Sequence, residues 1–399
     1  MSADFKNKYH FLEDENWQDF ILKNYIKPLD KVILSMNKGI GVDKNILANQ
    51  LNGKLEVERK VPAWKDNMKL IFPKKINIEQ CSSELTARYK SQIVKGKSSI
   101  DLTGGWGVDS FFMSQSFEQS VHCEQDNELQ FIANRNFINL NASIESFHSD
   151  GISYLKATKR TFDLIYVDPS RRNQSNNKVV RLDEYTPNIL EHLDLLLTKG
   201  KQLLIKTSPL LDIKKAIQQL PQLTEIHVLA LNNECKELVF LVGSQKTAIQ
   251  PIVICKDLVK ASDFTFDYQQ EADYQHNLSQ PLKYIYEPNV SILKAGAFKS
   301  IAAAYNLFKL HPNSHLYTSQ NRVEDFPGRC FELRSIVRLN KKEILPILES
   351  KKANISKRNF PNTVNEIRKK LGLSEGGNDY VFATTLMDEK KRLLVCKKC

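Results

Sequence analysis

The stretch Ser98-Ser-Ile-Asp-Leu-Thr-Gly-Gly-Trp-Gly-Val-Asp-Ser110 decides how the rest of the chain is read. Ser98 to Thr103 has the composition of a short buried strand, Gly104, Gly105 and Gly107 make a tight turn, and Val108 onward carries enough apolar residues to begin a helix. A strand, a glycine turn and a helix N-terminus bring bare backbone N–H groups up to a ligand, the way nucleotide-type molecules are held. The dinucleotide fingerprint is G-x-G-x-x-G. Here the glycines run G-G-x-G, with Asp101 three residues before the first.

Working outward, strand and helix alternate. Apolar runs predict strands at Ser120–Cys123, Ser146–His148, Phe162–Val167, Gln202–Lys206, Glu225–Leu231 and Leu238–Val242, with helices over Glu128–Leu140, Gly151–Ala157, Pro187–Leu197 and Ile213–Leu220. Seven strands, the last two joined without a helix, describe a doubly wound α/β sheet. Upstream, residues 1–75 read as helical, from apolar residues at three-and-four spacing. In Ile78–Lys90, Ser82 or Ser83 is placed to cap a helix with Glu84 in its first turn. Gln80, Ser82 and Lys90 of this segment are second-rank ligand candidates.

In a doubly wound sheet the ligand crosses the carboxyl ends of the strands. Glu124 follows the second strand, Asp150 the third, Asp168-Pro169-Ser170-Arg171-Arg172 the fourth and Lys206-Thr207-Ser208-Pro209 the fifth. Each acid alone is a common helix cap. Together with the glycine turn they form a series at one rim. Arg171 and Arg172 suit a substrate phosphate or a loop acid, and Lys206 a substrate-side contact.

The 41% of apolar residues is ample for packed cores, and no apolar run approaches a membrane span. The first residues have neither a signal-peptide core nor a transit pattern, so the expectation is cytoplasmic. Seven cysteines without a framework fit reduced thiols, and Cys396 and Cys399, the sole C-x-x-C pair, lack the partners of a metal site. The net charge is +11, and residues 301–399 hold 19 Lys and Arg against 10 Asp and Glu. Within them Lys351–Lys370 has seven basic residues and one acid. Such a run is either a solvated face or the footprint of a polyanion.

The turn around Asp101 resembles motif I of the class I S-adenosylmethionine (SAM) methyltransferases, and a closing strand pair is a feature of their sheet. Asp168-Pro169 stands where methyltransferases of base nitrogens carry [D/N]-P-P-[Y/F], although Ser170 and Arg171 depart from that pattern and the stacking aromatic is missing. With EQCSSELTARYK, KTSPLLD, NECKELVFLV, YEPNVSILKAGAF, SHLYTS, ISKRNFP and GGNDYVFATT in this order, nearly the whole chain resembles a bacterial family of class I SAM-dependent methyltransferases with a C-terminal THUMP-like domain. The resemblance implies a helical region 1–75, a Rossmann-like seven-stranded catalytic domain 76–245, a linker and ferredoxin-like segment 246–325, and a basic THUMP-like domain 326–399. It assigns Asp101, Thr103, Gly104, Gly105 and Gly107 to SAM, Glu124 to its ribose, Asp150 to its adenine, and Asp168 with Pro169 to the reacting group. Lys351, Lys352, Lys357, Arg358, Arg368, Lys369 and Lys370 would track RNA phosphates, with Phe360 and Tyr380 as stacking or core residues. The expected function is methylation of tRNA or rRNA, with no metal. A protein or small-molecule methyltransferase, or a non-catalytic SAM- and RNA-binding protein, are the alternatives.

Overall fold

The computed structural model describes residues 2–35, 42–171, 181–243, 250–260 and 262–399. The chain divides into two compact units, Met1–Thr224 with Val239–Thr247, and Glu225–Leu238 with Ala248–Cys399. The switch-over falls inside two consecutive strands.

The first unit is built on parallel strands β1 (Gly96–Asp101), β2 (Phe117–Glu124), β3 (Ile144–His148), β4 (Phe162–Val167) and β5 (Gly200–Thr207). Strands β6 (Leu223–Leu231) and β7 (Glu234–Gly243) are neighbours joined by Asn232 and Asn233, both at positive φ as a primed hairpin turn requires. These seven strands run in the order β3-β2-β1-β4-β5-β7-β6 within a nine-stranded sheet. The buried runs of β4 and β5 are apolar throughout because parallel strands are covered on both faces.

Helices α1 (Ser2–Tyr9), α2 (Glu15–Asn24), α3 (Leu29–Ser35) and α4 (Lys44–Lys60) precede α5 (Lys75–Gln80) and α6 (Glu84–Ile93), and α7 (Val108–Ser114) and α8 (Asn127–Asn139) follow β1 and β2. The N-terminal helices share one core with α7 and α8, in which Leu47, Leu51, Val57 and Trp64 meet Trp106, Phe112 and Ile132. Trp106, from inside the glycine turn, is the pivot: its ring lies edge-on to Trp64 at 5.2 Å, and its indole N–H donates to Ile71 O at 3.3 Å. Asn136 of α8 completes the join, accepting from Ile71 N and donating to Ile71 O, each at 2.8 Å.

Helices α9 (Gly151–Ala157), α10 (Leu193–Lys199) and α11 (Ile213–Gln219) complete the unit. The helix expected from Pro187 starts at Leu193, because Pro187 to His192 are used in turns after a short ribbon in which Ser170–Arg171 pairs with Tyr185–Thr186.

In the second unit β8 (Ile252–Asp257) lies parallel to β6, and β9 (Ser262–Phe266) antiparallel to β8. The chain then forms β10 (Tyr284–Pro288), β11 (Phe308–Lys309), β12 (Tyr317–Ser319), β13 (Gly328–Val337), β14 (Asn354–Arg358), β15 (Asp379–Thr385) and β16 (Lys391–Lys398), ordered β11-β12-β10-β13-β16-β15-β14 in one sheet. Cys399 lies opposite Cys330, with their sulfurs 3.3 Å apart, while Cys396 is buried. The C-x-x-C pair is thereby split. Among the described residues no helix is long and apolar enough to cross a membrane.

Candidate active site

Five strand ends converge on the turn after β1. Gly104 has no room for a side chain: a Cβ there would sit 2.1 Å from the His122 ring of β2. Burial lowers the His122 pKa to about 4, so the ring is neutral and its Nδ1 and Nε2 lie 3.0 Å from Ser146 Oγ and 3.3 Å from Gly105 O. Gly105 and Gly107 have φ of +55° and +89°, which disfavour any residue with a Cβ. Gly107 caps α7, so the first N–H groups of that helix follow directly on the turn.

The acids are placed by this turn. Glu124 accepts from Gly105 N at 2.9 Å with one oxygen and from Asp126 N at 2.7 Å with the other, which fixes the end of β2 against the loop. Asp150, exposed, caps α9 by accepting from Ser153 N at 2.8 Å. Gly151 behind it packs onto the end of β1, where a Cβ would lie 2.2 Å from Leu102 O. Asp168 donates its backbone N–H to Thr103 Oγ1 at 2.7 Å, which ties β4 to β1, and its carboxylate sits 2.5 Å from Lys206 Nζ at the end of β5. Pro169 is buried. Glu124, Asp150, Asp168 and Lys206 therefore stand along one rim around the glycine turn.

Three candidates turn inward instead. Asp101 is buried, its carboxylate accepting from Ser110 Oγ at 2.6 Å and from Thr103 N at 3.0 Å. Burial raises its pKa to about 7 against the pull of those hydrogen bonds. It braces the turn from beneath. Ser82 and Lys90 belong to a buried network around Asp109 of α7. Lys90 Nζ, fully buried, lies 3.1 Å from Asp109 Oδ1 and donates to Ser82 Oγ at 2.8 Å. Ser82 Oγ and Tyr166 Oη donate to Asp109 Oδ2 at 2.7 and 2.8 Å. The physical cause is Asp109: a buried carboxylate needs a counter-charge and donors, and α6 supplies them. Ser83, one residue on, takes the cap of α6. Gln80 is exposed at the end of α5, which Lys60 anchors by donating to Ile78 O and Glu79 O at 2.7 and 2.6 Å.

Arg172 lies outside the described residues, and Arg171 contributes its backbone to the ribbon with Tyr185. In the second unit Lys351, Lys352, Lys357, Lys369 and Lys370 are exposed. Two expected phosphate contacts are committed elsewhere: Arg358 joins Arg329 on the buried carboxylate of Glu287, and Arg368 pairs with Glu375 at 3.2 Å. Phe360 is core, and Tyr380 packs on Phe331 at 4.9 Å, so neither ring is a free stacking platform. Composition could not separate these residues from their neighbours, because their carboxylate and aromatic partners come from distant strands. Nor does composition mark Trp106 or His122, whose partners Trp64, Ile71 and Ser146 lie elsewhere in the chain.

The family models of a ferredoxin-like domain and of a THUMP domain-like module match residues 284–327 and 328–398. The crystal structure of a "putative methyltransferase" from Porphyromonas gingivalis W83 is 30% identical, with 96% of this chain and 98% of that one covered and a TM-score of 0.87. Two more distant structures are an rRNA N2 G1207 methyltransferase of T. thermophilus with AdoMet and guanosine (12% identity, 43% and 44% covered, TM-score 0.32) and TrmK of M. capricolum with S-adenosylhomocysteine (11%, 41% and 71%, 0.33). None of the curated proteins matches the chain.

Proposed function

Because the chain belongs to the methyltransferase family that joins a class I core to C-terminal ferredoxin-like and THUMP-like domains, we propose that it methylates RNA, tRNA or rRNA, at a base nitrogen with SAM as donor. The observation that carries this reading is the position of Asp168, tied by its own N–H to Thr103 in the glycine turn and by its carboxylate to Lys206.

The residues around the turn fit SAM. Gly105 faces open space, with the nearest atom to an added Cβ 4.0 Å away, which leaves room for a ligand against bare backbone. Thr103, Gly104, Gly105 and Gly107 would hold its methionine end, Glu124 its ribose and Asp150 its adenine. SAM supplies a methyl group on a positively charged sulfur. The chain's own contribution is positioning, the larger part of catalysis for an in-line displacement. Lys206 holds one oxygen of Asp168, and the other accepts an N–H of the acceptor amine, which orients its lone pair. Buried Pro169 keeps the following backbone in place. A base paired within a helix must be swung out to reach Asp168. The exposed lysines of Lys351–Lys370 supply attraction for phosphates that weakens steeply with salt.

The test is transfer of labelled methyl from SAM to RNA from cells lacking the protein. Nuclease-sensitive incorporation by wild type, absent in Asp168→Ala with SAM affinity retained, supports the reading. Full activity in Asp168→Ala removes the role given to that residue. Ser170 and Arg171 in place of the expected proline and aromatic favour one second reading, a protein that binds SAM and RNA without turnover. SAM and RNA binding without incorporation into any RNA would select it.

A further inference from the structure

Within the first unit, lined by none of the residues of the glycine turn, a cavity of about 310 Å³ opens between the N-terminal helices and α8. Its charged lining is Lys6 of α1, Lys69 of the segment before α5, Arg135 of α8 and a single acid, Glu13. Its wall includes Tyr9 and Phe131. We propose that this cavity is a second RNA-contacting site, holding one nucleotide of the substrate by its phosphate. The inference rests on the RNA reading above and gives the N-terminal helices a role beyond bracing the core.

Three cations drawn from three separate segments converge on it against one carboxylate. Glu13 Oε1 pairs with one nitrogen of Arg135 at 2.9 Å, which offsets one of the three charges and fixes the guanidinium, and Lys6 and Lys69 carry the excess. The guanidinium is left with further donors in a fixed fork, the geometry that suits phosphate oxygens. Lys69 is set by its backbone: its carbonyl accepts from Asn139 Nδ2 at 2.6 Å. Lys6 and Lys69 are both exposed. Phe131 is itself fixed, 5.7 Å from Phe5 and 6.2 Å from Tyr9, and Tyr9 is anchored through its hydroxyl to Glu128 Oε1 at 2.7 Å. An apolar wall beside exposed cations matches a nucleotide, which has a flat apolar base and an anionic phosphate. The volume is at the lower end of small-ligand sites, room for one such unit.

The experiment uses the full chain with Lys6→Ala/Lys69→Ala, and a control, Lys156→Ala/Lys159→Ala, that removes two exposed lysines elsewhere in the same unit. Binding of a single-stranded RNA of about 20 nucleotides is measured over a salt series, with AMP and inorganic phosphate as separate probes. Losing two phosphate contacts lowers the slope of log affinity against log salt by about 1.4, or about 25-fold in Kd at 0.1 M salt. The expected result is that loss in the pocket variant, little change in the control, and unchanged SAM affinity in both. Equal losses in the two variants, or none in either, overturn the site. AMP or phosphate binding that vanishes in the pocket variant while RNA binding stays intact overturns it in favour of a free nucleotide or phosphate. Failure of wild type to bind RNA at all refutes the RNA reading itself, and the site with it.

Discussion

Replacing Lys90 with Met tests the buried pair beneath the glycine turn. The Nζ to Oδ1 separation of 3.1 Å corresponds to about 5 kcal/mol of attraction at an effective dielectric near 20. Removing one partner of a buried pair costs about 3–5 kcal/mol, because the other charge is stranded. For a unit of this size that is a drop of about 6–20 °C in the transition that unfolds it. The pH dependence distinguishes this cause from lost packing. Burial alone would raise the Asp109 pKa, but Lys90, Lys206 and the hydroxyls of Ser82 and Tyr166 outweigh it and hold the carboxyl low. A depressed carboxyl pKa gives stability that is present above the unfolded value, near pH 4, and is lost as pH falls through the folded value. In Lys90→Met burial wins and the shift reverses. The penalty against wild type should then be largest near pH 7 and shrink toward pH 5, where Asp109 takes up a proton. Lys90→Met/Asp109→Asn should recover more than half of the loss. Urea denaturation at both pH values reads this out. A penalty below about 1 kcal/mol, or one equal at pH 5 and pH 7, refutes the assigned network.

Four further outcomes are expected. Asp101→Asn should flatten a decline in wild-type stability between about pH 4 and pH 7, since a carboxyl raised to about 7 by burial keeps its proton longer folded than unfolded; denaturation across that window checks the sign. Gly104→Ala should weaken SAM binding at least about tenfold by calorimetry through its clash with the His122 ring, and His122→Ala should restore part of it. Trp106→Ala should cost about 3–5 kcal/mol in denaturant, as it empties the pivot between the N-terminal helices and the core. Lys206→Met should lower the methyl-transfer rate by about 10- to 100-fold with SAM affinity near wild type, because Asp168 loses the group that orients it.

The amino-acid sequence by itself determined the seven strands at the heart of the first sheet. The alternation of apolar runs with amphipathic ones, the glycines after β1 and the acids after β2, β3 and β4 are local signals, set by backbone geometry and periodicity over a few residues. They located seven of the nine strands of that sheet and the strand ends at which the site is proposed; β8 and β9 fall in the stretch read as a linker. Tertiary structure decided which polar residues face that rim. Asp101 is as acidic in sequence as Asp168, yet Ser110 folds back onto it, whereas Asp168 meets Lys206 from the neighbouring strand. Lys90 and Arg358 read as free cations until Asp109 and Glu287 arrive from elsewhere in the chain. The energy of a charge depends on its burial and on partners brought in by packing, and neither is encoded in the residues adjacent to it.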